Sequence, residues 1–226
     1  MHPSLICLAG PPGSGKTTIA RELSRTCHGS AFRLREAIRM YPQLVERGGK
    51  PDELGWVSDT VVARVLRTSA AQFLRGPYPV LLDNFPGSLN QLELLRQEAG
   101  RLRFTLGVLE LAVDDRILRD RIRDRRVCPR CHPELHSPAA VVSGDVERCR
   151  DCGSPVFKRS SDASGMHELR LRRYRVNLQK LGVTARLAGI PYRSVYATGT
   201  VAEVRADALS ALSDLILYPP MKFSLT

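Results

Sequence analysis

The sequence predicts an α/β chain: a central parallel sheet flanked by helices, with two smaller lobes inserted into it. Three observations predict this. Short apolar runs at residues 5–9, 80–82 and 104–113 read as strands buried on both faces, and helical patterns alternate with them. Between the first run and the helical stretch Ile19-Ala20-Arg21-Glu22-Leu23 stands Gly10-Pro11-Pro12-Gly13-Ser14-Gly15-Lys16-Thr17-Thr18. Further on, two C-x-x-C pairs, Cys128/Cys131 and Cys149/Cys152, bracket a stretch broken by prolines and glycines.

The second observation names the fold. Gly10, four residues, then Gly15-Lys16-Thr17 is a complete phosphate-binding loop, in the strand–loop–helix setting it requires. Glycines let backbone N–H groups turn inward around an anion, and the helix after the loop aims its positive end at the same point. Lys16 can reach the outer phosphates of a nucleoside triphosphate, and the Thr17 hydroxyl can sit on Mg²⁺. The chain is therefore expected to have the P-loop NTPase fold and to bind a nucleotide through residues 10–18.

Bulk properties narrow the class. A chain of 226 residues with 43% hydrophobic and 25% charged residues suits a globular α/β protein. No apolar stretch approaches the length of a membrane span, and the N-terminus runs straight into the first strand without a signal peptide. A cytoplasmic protein is expected. The net charge of +11 comes mostly from arginine and favours phosphate-rich partners. Basic runs interleaved with aromatics are lacking, so a nucleotide site ringed with arginines is favoured over a nucleic-acid surface, an alternative the basic charge keeps open.

In chain order, residues 32–40 read as helical, and Pro42 and Gly48-Gly49-Lys50-Pro51 punctuate the chain after them. Val57-Ser58-Asp59 opens another helix, with Ser58 or Asp59 as its N-cap. Together, residues 31–65 suggest a small helical lobe. The run Val80-Leu81-Leu82-Asp83 delivers a carboxylate at a strand's C-terminal end, where such sheets place functional groups. After the 104–113 strand, Asp114-Asp115 caps a helix expected to carry Arg116, Arg119, Arg121, Arg123, Arg125 and Arg126, with Arg121 and Arg125 on one face. Residues 128–152 form the cysteine lobe. In a reducing compartment its four thiolates suit tetrahedral Zn²⁺, with His132 and His136 as second-rank ligands. Cys7 and Cys27 read as small buried hydrophobes. A long helix from about 167 to 188 carries Arg170 and Tyr174; a last strand at 192–197, a helix at 201–217 and a loose tail from 219 complete the chain.

Four motifs, in order and spacing, give the chain a resemblance to the adenylate kinase family over residues 4–215. They are the phosphate loop; Asp83-Asn84-Phe85-Pro86-Gly87-Ser88 with Gln91, similar to the family's Asp-Gly-Phe-Pro-Arg-Thr and Gln; Arg125-Arg126-Val127-Cys128-x-x-Cys131; and Arg159-x-x-Asp162 followed by Arg170-Leu171-x-x-Tyr174. The resemblance implies transfer of the γ-phosphoryl group of ATP, with Mg²⁺, to a nucleoside monophosphate, AMP being the first guess. It implies a core of residues 1–30, 66–126 and 161–218, an acceptor lobe at 31–65 and a zinc-bearing lid at 127–160. Lys16 and the loop would hold the triphosphate, while Arg121, Arg125, Arg159 and Arg170 surround the transferring group. Asp83, with Asp162, would organise Mg²⁺ through water; Arg39 would grip the acceptor phosphate, and Gln91 its base. A monomer is expected.

Departures gather on the acceptor side. Gly87 stands where the family has an arginine, Asn84 where it has glycine, Leu34 near a small polar position, and Ser161 at the first of two aspartates. Arg33 or Arg35 is expected to supply the charge missing at 87. Two other readings stay open: the same kinase chemistry with a different acceptor, and a nucleotide-binding regulatory protein with little turnover.

Overall fold

The computed structural model describes residues 3–46, 52, 56–131, 138–144, 146–159, 162 and 164–217. Gly48-Gly49-Lys50-Pro51, His132, His136, Ser161 and the tail lie outside the described residues.

Strand β1 (Ser4–Ala9) enters the phosphate loop and then α1 (Lys16–Thr26). β2 (Ser30–Arg33), α2 (Leu34–Met40), α3 (Pro42–Glu46) and α4 (Asp59–Arg75) come next. β3 (Val80–Asp83), α5 (Leu89–Leu102), β4 (Thr105–Ala112) and α6 (Asp115–Asp124) continue the core. The cysteine segment contributes only the short antiparallel pair β5 (Val141–Val142) and β6 (Arg148–Cys149). The chain returns through α7 (Ser164–Leu187), β7 (Tyr192–Tyr196) and α8 (Val201–Leu217).

Five strands form one parallel sheet in the order β2-β3-β1-β4-β7. Alternation within each strand divides the apolar residues between two layers. Leu5, Cys7, Val80, Leu82, Leu106 and Val108 face α4 and α5, while Ile6, Leu8, Leu81, Leu109 and Leu111 face α1 and α8. The inner strands β1 and β3, and most of β4, are covered on both faces and so are largely apolar along their length, and that is why they read so clearly as runs.

Two expectations are corrected. Residues 30–33 form a strand, not the start of a helix. Phe32 is buried against Phe73 at 5.0 Å between ring centroids, and Arg33 stands in register with Asp83 on β3. Four residues are too few for a periodicity to declare itself, and Arg33 masks the alternation. The second correction concerns Arg125. Helix α6 stops at Asp124, and Arg125 is an extended C-cap (φ −65°, ψ 128°), so Arg121 and Arg125 do not share a helical face. Ser58 caps α4 as expected, accepting a hydrogen bond from the Val61 N–H at 3.4 Å. Asn84, where the resemblance has glycine, adopts φ 58°, a left-handed conformation asparagine tolerates better than most residues.

Candidate active site

The parallel sheet carries the phosphate loop at the C-terminal end of β1, and a cavity of about 510 Å³ opens there. The loop forms its floor. Gly10 has φ 141°, and a Cβ there would lie 2.7 Å from the Leu111 carbonyl oxygen, so no side chain fits between loop and β4. Lys16 begins α1 and turns back over the loop, donating to the carbonyls of Gly10 (2.6 Å) and Pro11 (2.8 Å). Its ammonium lies 5.1 Å from the centroid of the Tyr174 ring, and the Tyr174 hydroxyl accepts the Gly10 N–H at 3.0 Å. Burial, then Arg170 and Arg125, pull the Lys16 pKa down to about 7 against the opposing pull of Asp83. The lysine is thus poised to gain a proton when a polyanion arrives.

Arginines line the walls. Arg121 from α6, Arg125 from its C-cap, Arg159 from the exit of the cysteine segment, Arg170 from α7 and Arg35 from α2 all border the cavity. Burial first, and then the neighbouring Arg125, Arg170 and Arg35, hold the Arg159 pKa down to about 10; Asp162 opposes the shift. Arg170 is lowered by burial and by Arg35 and Arg125. An arginine does not lose its proton in this range, so the shifts reflect first the burial of these guanidiniums and then their mutual repulsion. Among the described residues no carboxylate pairs with Arg121 or Arg159. Guanidiniums crowded together beside a phosphate loop, two of them without an acid, define an anion site.

Arg125 is treated differently. Asp162 holds it through two hydrogen bonds, from Nε at 2.8 Å and from Nη2. The resemblance puts Asp162 near Mg²⁺; the structure engages it in orienting Arg125. Asp83 is buried at the end of β3, with Oδ2 taking Arg33 Nε at 3.3 Å and Oδ1 without a hydrogen-bond partner. That orphaned oxygen and the Thr17 hydroxyl, which also lines the cavity, fit Mg²⁺ and its waters.

On the acceptor side the structure parts from expectation. Arg39 is exposed, one turn along α2 from the cavity, and does not line it; Arg35 does. Arg33 also borders the cavity, but it is ion-paired with Glu36 at 2.7 Å as well as with Asp83. Gln91 lines the cavity, and its amide is engaged at both ends. Oε1 accepts the Gly87 N–H at 2.8 Å, and Nε2 donates to the Val57 carbonyl at 3.3 Å. Sequence reasoning misses Trp56, which lines the cavity, and the far wall of Ala197, Gly199, Val201 and Val204 at the end of β7 and start of α8. No local motif marks those positions. Tyr174 is visible in the sequence only as part of a spacing pattern.

The four cysteines come together. Cys128 and Cys152 Sγ lie 3.5 Å apart, Cys131 and Cys149 Sγ 3.8 Å, and all four lie within 4.8 Å of one another. Tetrahedral Zn²⁺ with bonds of about 2.3 Å would space its thiolates about 3.8 Å apart, so the donor set fits. The segment's own core is little more than Cys128, Cys149 and Val156.

A parallel sheet carrying a phosphate loop, under a canopy of arginines, defines a P-loop phosphotransferase. A family model described as an AAA domain matches residues 5–139. The chain is 31% identical over 217 residues to the adenylate kinase of Syntrophotalea carbinolica, covering 91% of this chain and 96% of the relative. It is 32% identical over 222 residues to that of Salinispora tropica, covering 92% and 97%. The adenylate kinase of Carboxydothermus hydrogenoformans matches at 28% over 218 residues, covering 92% and 98%. The chain belongs to the adenylate kinase family.

Proposed function

We propose that the protein transfers the γ-phosphoryl group of ATP to the phosphate of a nucleoside monophosphate, with AMP the first acceptor to try. The observation that carries this reading is the convergence of Arg35, Arg125, Arg159 and Arg170 above the phosphate loop. An ATP-binding module needs the loop; it does not need arginines on the far side of the γ-phosphate. Phosphoryl transfer does, because charge spreads over the equatorial oxygens as an acceptor oxygen approaches.

In this reading the loop N–H groups and Lys16 hold the β- and γ-phosphates, and Thr17 with Asp83 would hold Mg²⁺, which would supply charge neutralisation between the phosphates. Arg35, rather than Arg39, faces the acceptor phosphate. An acceptor phosphate oxygen forms a bond to the γ-phosphorus as the bond from that phosphorus to the β,γ-bridging oxygen breaks. Two diphosphates result. Arg121, Arg125, Arg159 and Arg170 stabilise the charge in flight. Residues 31–65 act as the acceptor lobe and 127–160 as the lid, which closes to keep water from taking the phosphoryl group. The compartment is cytoplasmic and the working unit a monomer.

The test is ADP formation from Mg–ATP with AMP, GMP, CMP, UMP, dTMP or no acceptor, run beside Lys16→Ala. Acceptor-dependent turnover that vanishes in the variant supports the reading. ATP hydrolysis indifferent to every monophosphate overturns it.

Zinc in the lid has a structural role here, because so small a segment has little else to fold around. Chelation is expected to lower the melting temperature and abolish turnover, leaving the helical circular-dichroism signal of the core in place. A freshly purified, reduced protein with no zinc by metal analysis would sink the assignment.

A further inference from the structure

The acceptor side of the cavity is built around the chain's single tryptophan. A Cβ added at Gly87 would lie 2.7 Å from Cζ3 of Trp56 and 3.2 Å from its Cε3 and Cη2. Gly87 is not among the glycines with positive φ, so its backbone does not demand glycine; the space does. The indole occupies the volume into which a side chain at 87 would project.

Neither partner is free to drift. The Arg173 guanidinium stands 4.4 Å from the Trp56 ring centroid and is also ion-paired with Asp52. Asp52 in turn accepts the Trp56 N–H at 2.8 Å, and the Trp56 carbonyl accepts the Asp52 N–H at 2.9 Å. Gly87 is pinned through its N–H to Gln91 and through its carbonyl, which accepts from Asn177 Nδ2 at 2.9 Å. The indole is therefore fixed to α7 from one side and abuts the β3–α5 turn on another. Leu34, Arg35 and Val57 line the same cavity as the indole.

We propose that Trp56 is the specificity-determining residue of the acceptor site: its indole replaces a side chain at 87 and forms the wall against which the acceptor's base packs. The inference rests on the phosphotransferase reading and adds to it the residue that meets the acceptor's ring. The acceptor is a monophosphate with a flat ring, its phosphate taken by Arg35 and its ring packed on Trp56. No arginine at 87 takes part.

The test combines a mutant cycle with fluorescence. As the chain's sole indole, Trp56 reports acceptor binding directly, so titrating AMP, GMP, CMP and UMP in turn is expected to change its emission without turnover. Trp56→Ala is expected to raise the acceptor KM about tenfold or more, in keeping with loss of a base–aromatic contact, with the ATP KM unchanged. Trp56→Phe recovers most of the loss, and melting curves of both variants verify that they fold. Gly87→Arg alone is expected to lose acceptor-dependent activity and melting temperature together. Adding Trp56→Ala to it restores the melting temperature, because the ring no longer fills the space, while the acceptor KM stays raised as in Trp56→Ala alone.

A fully active Gly87→Arg, or an unchanged acceptor KM in Trp56→Ala, overturns the inference while the kinase reading stands. If wild type phosphorylates no monophosphate, the kinase reading has failed, and the fluorescence titration still decides about Trp56. A change in emission on adding the monophosphates supports its place in the site; none removes it.

Discussion

Lys16→Ala is expected to lower kcat for phosphoryl transfer by about 10³-fold, roughly 4 kcal/mol of transition-state stabilisation, with the fold intact. The figure follows from geometry. Lys16 is the cation carried by the phosphate loop itself, bent over it toward Gly10 and Pro11, in a buried setting where one charge counts for much more than in water. Steady-state kinetics beside a melting curve decide the matter, and a variant within tenfold of wild type would mean that another cation does the work.

The same lysine makes a pH prediction with a definite sign. Its pKa is about 7 in the fold, against an ordinary value of 10.5. At this side chain the unfolded chain therefore binds more protons between those limits, and the lysine's own contribution to the stability of the nucleotide-free protein rises as pH climbs through that window. Below pH 7 the cost of the buried charge is present in full. A bound triphosphate reverses the preference and recharges the lysine, so ATP binding at alkaline pH takes up a proton. Calorimetry in buffers of different ionisation enthalpy reads that uptake, which Lys16→Ala should abolish. An uptake that persists in the variant would assign the proton elsewhere.

Arg159→Met is the second large effect. An arginine that meets the charge of a transferring phosphoryl group is worth about 10³-fold or more in kcat, and that loss is expected here. What separates Arg159 from a structural arginine is the sign of the stability change. No carboxylate pairs with it among the described residues, while Arg125, Arg170 and Arg35 all press on it. Removing it orphans no acid and relieves repulsion, so the melting temperature holds or rises as activity falls. Arg125→Met behaves oppositely, because it strands the buried Asp162 carboxylate and destabilises the fold. If Arg159→Met melts lower than wild type, Arg159 belongs to the scaffold.

How much of the molecule is legible in the chain depends on how far apart the interacting residues lie. The phosphate loop, the strands at 4–9, 80–83 and 105–112, the α8 helix and the C-x-x-C pairs all carry their signal within a few consecutive residues. A strand buried on both faces must be apolar residue by residue, and a loop that wraps an anion must have glycines at fixed steps, so local sequence suffices for both. The arginines are legible one at a time, through resemblance, but not as a set.

Tertiary structure decided whatever depends on residues meeting across the sheet or across the cavity. That α6 ends at Asp124 and turns Arg125 toward Asp162 is a matter of where the cysteine segment rejoins the core, 37 residues later. That Arg35 lines the cavity and Arg39 does not comes from the path of α2, since both share one helical face in sequence terms. In the sequence, Gly87 is the simple loss of an arginine. Only the fold shows an indole from 31 residues earlier filling the space, because a glycine's reason lies in what comes close to it, and one-dimensional spacing holds no record of that approach.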